Sequence, residues 1–319
     1  MKLERIYRLA VEKGMASDPR GKREVEKVLK RGKKGYDRLS QEEKGDFDLE
    51  KLTHPYSDTR ILYGDPNKEV KTLLVGIDIG EGELLLVDRL RAQGKKIDLA
   101  LSHHPAGRAY ASFYEVMSMQ AQILSQYGIP INVAEDLLEP RIKEVERKVL
   151  PVNHMRAVDM ARLLDIPFLC IHTPADNMVA TYLKKVMDRE KPDSVEEVME
   201  ILKRIPEYKE SSKNNTGPKV IIGRKERSAG RVFVDMTGGT EGSEKIFEKL
   251  STAGVGTIVG MHISEKHYKE AEKHHINVIV AGHIASDTLG VNLLLDEIEK
   301  KGKLKIIPCS GFRRYKHKK

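Results

Sequence analysis

Leu99-Ala100-Leu101-Ser102-His103-His104-Pro105 is a short apolar run that stops on two histidines and a proline. Four such residues bounded by turn chemistry read as a buried strand. The same design recurs at Leu169-Cys170-Ile171-His172-Thr173-Pro174-Ala175-Asp176 and at Val278-Ile279-Val280-Ala281-Gly282-His283-Ile284-Ala285-Ser286-Asp287. Further strands are expected at Val70–Ile79, Pro130–Val133, Val232–Met236, Thr257–Val259 and Leu304–Ile307. Helical periods lie between them, over 83–93, 110–127, 137–149, 154–165, 177–189, 194–203, 265–275 and 288–301. Strands alternating with helices predict an α/β fold with a largely parallel sheet and crossover helices. In such folds ligands bind beyond the carboxyl ends of the strands, and the histidines stand at those ends.

Histidine and carboxylate together suit Zn, Fe, Mn or Ni better than a soft thiolate site would. His283 and Asp287 are four residues apart, so on a helix both side chains share one face. His172 and Asp176 repeat that spacing. Adjacent His103 and His104 cannot point the same way on a regular strand. At a strand end followed by proline the geometry relaxes, and each can serve one of two neighbouring metals. A lone histidine at a strand end is more often a hydrogen-bonding turn residue. Three such ends in one α/β chain argue for a shared site.

Other segments carry weaker signals. Thr237-Gly238-Gly239-Thr240-Glu241-Gly242-Ser243 joins a strand to a helix. Gly238, Gly239, Gly242 and Ser243 can present backbone N–H groups to a phosphate, or can simply build a tight turn. His262, Glu265 and His267 follow a strand at the same sheet edge and are candidates for proton transfer, against the alternative of an ordinary polar helix start. Cys170 and Cys309 sit in apolar runs and do not form a disulfide framework.

The chain of 319 residues has a formal net charge of +8. Residues 20–38 carry nine Lys/Arg against three acids, and 312–319 carry five basic residues and no acid. The body between is mildly acidic. Solvated ends account for this, as does an arm that binds an anion such as nucleic acid. The sequence shows no apolar stretch long enough to span a bilayer and no signal-peptide pattern, so a cytoplasmic, non-membrane protein is expected. Four segments are expected: a basic N-terminal extension (1–68, irregular over 32–68), a first α/β segment (69–181), a helical insert and linker (182–218) and a second α/β segment with a basic tail (219–319).

Ser102-His103-His104-Pro105, His172-Thr173-Pro174-Ala175-Asp176 and Gly282-His283-Ile284-Ala285-Ser286-Asp287, in that order, resemble the dinuclear metal centre family. It is also known as the GTP cyclohydrolase 1 type 2 homologues or the NGG-interacting-factor-like family. The resemblance covers 69–105, 167–181 and 230–310. It implies two intertwined α/β lobes, a pair of divalent ions between them and a ring-shaped homohexamer. His103, His104, Asp176, His283 and Asp287 would be the ligands, and His172 a further ligand or a neighbour that orients one. The chain departs from the family where Asp287 replaces the usual glutamate. It also reads Asn177-Met178-Val179-Ala180 where glycines are usual, is longer between His104 and His172, and has no counterpart for 1–68. A metal-dependent hydrolase acting on a nucleotide-like or other small substrate is the expected function. The alternative is a non-enzymatic metal-binding scaffold with a nucleic-acid or protein partner.

Overall fold

The computed structural model describes residues 1–317. Its strands are β1 (Thr59–Tyr63), β2 (Thr72–Gly76), β3 (Leu99–Ser102), β4 (Phe168–Ile171), β5 (Lys219–Ile222), β6 (Arg231–Asp235), β7 (Val255–Gly260), β8 (Asn277–Val280) and β9 (Lys305–Pro308). Its helices are α1 (Leu3–Ala16), α2 (Lys22–Asp37), α3 (Gln41–Asp46), α4 (Glu81–Ala92), α5 (Gly107–Ala111), α6 (Met119–Ser125), α7 (Ile131–Val149), α8 (Arg156–Leu163), α9 (Thr173–Glu190), α10 (Val195–Lys203), α11 (Pro206–Lys213), α12 (Ile246–Thr252), α13 (Glu265–Lys273) and α14 (His283–Glu299).

The strands form two sheets, ordered β1-β4-β3-β2-β9 and β5-β8-β7-β6. Pairing is parallel within β4-β3-β2-β9 and within β8-β7-β6. Each sheet ends in one antiparallel edge strand, β1 against β4 and β5 against β8. The lobes are intertwined because β9 leaves the second lobe and pairs beside β2 in the first. Helices α9 and α14 join them. Ala175, Val291, Leu294 and Leu295 are buried in the first core, and Val179, Ala180, Leu183, Ala285 and Leu289 in the second.

Several expectations shift in detail. Residues 1–68 are woven into the first lobe: Leu3, Ile6, Leu9 and Ala10 of α1 belong to its core, and β1 extends its sheet. The stretch 32–68, read as irregular, holds the end of α2, α3, a 3-10 turn at Leu49–Leu52 and β1. Pro130–Val133 is no strand: Pro130 caps α7, where its missing N–H costs nothing. The expected linker 207–218 contains α11, begun by Pro206 at its first position. The strand β5 has no apolar alternation to mark it, since Val220 and Ile222 alternate only with Lys219 and Ile221.

The C-terminal segment lies along α14. Arg314 pairs with Asp296 and Glu299, and His317 Nε2 lies 2.8 Å from Glu207 Oε1. The basic tail expected at 312–319 is therefore partly neutralised. Its last two lysines, Lys318 and Lys319, lie outside the described residues. No helix among the described residues is long and apolar enough to cross a membrane.

Gly290 of α14 sits against the backbone of Ala175 in α9. A β-carbon there would come 2.4 Å from the Ala175 carbonyl oxygen and 2.9 Å from its carbon. Gly290→Ala must push the two helices apart, and is expected to cost about 1–3 kcal/mol in chemical denaturation. Parent-like stability would show that the helices have slack at this crossing.

Candidate metal centre

Each ligand candidate is fixed by the turn that follows its strand. Beyond β3 the N–H groups of His103 and His104 donate to the carbonyls of Gly76 and Ile77, at 3.0 and 2.9 Å. Ser102 Oγ donates to the carbonyl of His104 at 2.6 Å. This stitching lets the adjacent imidazoles diverge. Beyond β4, His172 forms the N-cap of α9 and Pro174 lies in its first turn, which places Asp176 one turn on. Beyond β8, Gly282 turns with φ +109°, and a β-carbon on it would lie 2.7 Å from the carbonyl oxygen of Thr216. That glycine lets α14 begin at His283, so Asp287 follows on the same face.

Three strand ends from two sheets thus meet. His103 Nε2 is 3.4 Å from Asp176 Oδ1 and 3.5 Å from Asp287 Oδ1. The other oxygen, Asp287 Oδ2, is 3.4 Å from His104 Nε2 and 3.5 Å from His283 Nε2. His172 Nε2 stands farther off, 3.8 Å from Asp176 Oδ2. Asp176 and Asp287 are buried, as are His103 and His172; His104 is half-buried and His283 opens to solvent.

The donor atoms are orphaned. His103 Nε2, Asp176 Oδ1 and both Asp287 oxygens are buried without a hydrogen-bond partner among the described residues. Such atoms carry a large desolvation cost unless something else satisfies them. Two donors about 2.1 Å from one tetrahedral ion lie about 3.4 Å apart, which matches the separations here. Three overlapping groups could each hold an ion: His103 with Asp176 and Asp287, His104 with His283 and Asp287, and His103 with His104 and His172.

The far nitrogens of three histidines are anchored. His103 Nδ1 faces the Ile171 carbonyl at 3.2 Å, His104 Nδ1 faces Asp78 Oδ1 at 2.7 Å, and His172 Nδ1 faces Asp58 Oδ2 at 2.8 Å. A proton held on each Nδ1 leaves Nε2 as a lone pair aimed into the cluster, the usual arrangement behind metal-binding imidazoles. Asp58 and Asp78 were not foreseen. Asp58 sits just before a strand the sequence does not announce, and Asp78 follows a strand without any histidine of its own.

Without an ion, protons balance the charges. Burial raises the Asp287 carboxyl, but His103, His104 and His283 outweigh it and hold it far below the usual carboxylate range. Asp176 goes the other way, pushed well up by burial. Burial opposes charge on His104, yet Asp287 and Asp78 prevail and raise it to about 10. Burial lowers His283.

A cleft of about 50 Å³ abuts Asp176 and is lined by Asp235, Thr237, Gly239, Glu241 and His262 among others. Glu241 organises its far side. Its Oε1 accepts from the Ser264 N–H at 2.6 Å and lies 3.2 Å from His262 Nδ1; its Oε2 lies 3.5 Å from His267 Nδ1. His262 packs edge-on against His283, ring centres 5.2 Å apart. His267 is turned away, with Nε2 3.1 Å from the Gly242 carbonyl. Glu265 is exposed beside Lys269 and stays outside the cluster. The 237–243 loop packs on α6 and the 3-10 turn before it. The Gln120 amide donates to the carbonyls of Gly238 and Thr240, at 2.7 Å each, and β-carbons at Gly238 and Gly242 would collide with Gln120. Ser243 is buried, its hydroxyl 3.4 Å from the Lys245 N–H. The contacts of Gly238, Gly239, Gly242 and Ser243 are those of a close-packed turn bordering the cleft.

No family model matches the chain, and no curated protein matches it. Solved structures do. A NIF3 superfamily protein from Sphaerobacter thermophilus aligns with a TM-score of 0.70 at 26% identity, covering 82% of this chain and 95% of that one. Reduced HcgD from Methanocaldococcus jannaschii gives a TM-score of 0.49 at 16% identity, covering 78% and 87%. A Bacillus cereus protein related to NIF3 gives 0.42 at 11%, covering 78% and 90%.

The proton balance generates a pH dependence for protein stripped of metal. The raised pKa of His104 means that its pairing with Asp287 and Asp78 stabilises fully below its ordinary value of 6.5 and is lost as pH rises toward about 10. Chelated protein should therefore melt at progressively lower temperature across that window, and Asp287→Asn should flatten the trend. Stability that rises over the same interval would contradict the pairing.

Proposed function

From the premise that this chain has the fold of the NIF3 superfamily, whose motifs it also carries, we propose that it holds two divalent ions with Asp287 as their shared ligand. His103 and Asp176 complete one side, and His104 and His283 the other; His172 stands behind Asp176 as a further ligand or an orienting neighbour. The observation that supports this reading is the Asp287 carboxylate, buried, unpartnered, with one oxygen toward His103 and the other toward His104 and His283. Although one methylene shorter than glutamate, Asp287 already stands with one oxygen 3.5 Å from His103 Nε2 and the other 3.4 Å from His104 Nε2 and 3.5 Å from His283 Nε2. The nitrogen and oxygen donor set suits Zn, Fe, Mn or Ni.

We further propose a hydrolase. Ions bound there would polarise a substrate and lower the pKa of a water. The chain's own residues bind and manage protons. Glu241, drawn down to about 2 mainly by His262 against the effect of burial, holds a proton on His262 Nδ1 and raises that imidazole's pKa. His262 is thus placed to give a proton to a leaving group. Thr237, its hydroxyl tied to Asn177 Oδ1 at 2.8 Å, forms part of the wall. Among the described residues no Lys or Arg lines the cleft, so it suits a ring or amide rich in N–H groups better than a polyphosphate. Assembly into a homohexamer belongs to the same reading and is checked by sedimentation.

Elemental analysis of protein purified without chelator tests the centre. The expected content is about two ions per chain. Asp287→Ala should lose both, and His283→Ala about half, each with circular dichroism like the parent's. Full metal content in Asp287→Ala would refute the shared ligand. A panel of small cyclic and linear amides, with and without chelator, tests the chemistry; turnover that persists after metal removal counts against it.

A further inference from the structure

Helix α2 carries a concentration of positive charge that the metal centre does not use. Arg23, Lys30, Arg31, Lys33 and Lys34 are exposed, and none has an ion pair among the described residues. Lys22 and Lys27 lie among them, weakly paired with Glu26 and Glu24 of the same helix. At 100° per residue the five free cations fall within a sweep of about 160°, along a helix about 24 Å long. Val25, Val28, Leu29 and Tyr36 fall on the opposite side. Val25 is buried, Val28 and Leu29 are half-buried, and Tyr36 stacks on Phe47 with ring centres 5.0 Å apart. The apolar stripe is thus spent on the body of the protein, and only the cationic side is free.

We propose that α2 is a binding surface for the phosphate backbone of a nucleic acid. Charge complementarity carries the choice. Among the described residues the five free cations of this row have no acidic partner, and a polyphosphate backbone offers a matching row at short, regular spacing. An anionic bilayer is the poorer fit, because helices that lie on membranes insert an apolar face, and this one is already packed. The described part of the C-terminal tail offers less free charge, since Arg314 is paired with Asp296 and Glu299 and Lys316 lies 3.5 Å from Glu299. The surface also has a fixed orientation. Arg20, just before α2, pairs with Asp18 at 2.8 Å, Asp18 accepts from the Tyr56 hydroxyl at 2.8 Å, and that hydroxyl accepts from Asn177 Nδ2 at 3.1 Å. Asn177 is the neighbour of Asp176, so α2 is anchored to the helix that supplies the centre with a carboxylate. The binding itself does not depend on metal.

Fluorescence anisotropy with labelled single- and double-stranded oligonucleotides of mixed sequence tests the proposal, over about 50 to 200 mM salt. The parent should bind without sequence preference and lose affinity steeply with salt. K30Q/R31Q/K33Q/K34Q should bind at least about tenfold more weakly at the lowest salt and show a log–log salt slope smaller by roughly 3–4. K30R/K33R/K34R, which keeps the charge, should bind like the parent, and so should R313Q/K316Q. The glutamine variant should retain the parent's metal content, which separates this surface from the metal centre. Absence of parent binding at the lowest salt would overturn the proposal. So would parent-like binding by the glutamine variant, or capture of phosphatidylglycerol vesicles in place of oligonucleotides.

Discussion

Among the described residues neither oxygen of Asp287 has a hydrogen-bond partner, and both are buried. A carboxylate in that position costs several kcal/mol unless opposite charge is brought to it. The fold can be read as the means of bringing it. His103 and His104 arrive from the first sheet, His283 from the start of α14, and Asp176 from the parallel start of α9. Without an ion, the proton that Asp287 and Asp78 hold on His104 supplies that charge; a cation bound among the same atoms would displace it. The cluster sits at the starts of α9 and α14, and Gly290 lets these two helices meet backbone to backbone at Ala175.

The ligand candidates were legible because each announces itself locally. An apolar run ending in His, followed four residues on by an acid at His172 and at His283 and doubled to two histidines at His103-His104, is a pattern that needs no knowledge of the fold. The parallel strands were legible for the same reason, as runs of Val, Ile and Leu buried on both faces. What stayed hidden was held by partners distant in sequence. β1 and β5 are edge strands of mixed polarity, and nothing in Thr59–Tyr63 or Lys219–Ile222 distinguishes them from loop until a neighbour supplies the other half of the ladder. Asp58 is invisible for the same reason. Its role comes from His172, 114 positions away. Pro130–Val133 failed in the opposite direction, where four residues of strand-like composition were the first turn of a helix that only its later periodicity reveals.

The N-terminal 68 residues show how a segment far from the strand-end motifs becomes part of the site's support. Its helix α1 buries Leu3, Ile6 and Leu9 under the first sheet, and its strand β1 brings Asp58 to His172. Asp18, Arg20 and Tyr56 reach Asn177, whose side-chain Oδ1 accepts from the Thr237 hydroxyl on the second lobe. Asn177 therefore joins the N-terminal segment, through Tyr56, to the second lobe, through Thr237.

β9 pairs with β2 so that Thr72 lies opposite Lys305, 233 positions later in the chain. A nascent chain emerging from the ribosome has made β2, β3 and β4, and exposed His103 and His104, long before that strand exists. Until it arrives, β2 is an open apolar edge able to pair with any extended segment nearby. The second lobe, contained between β5 and β8, has no such wait. Order of synthesis and order of folding are thus uncoupled, and the first lobe to be translated is the last to close.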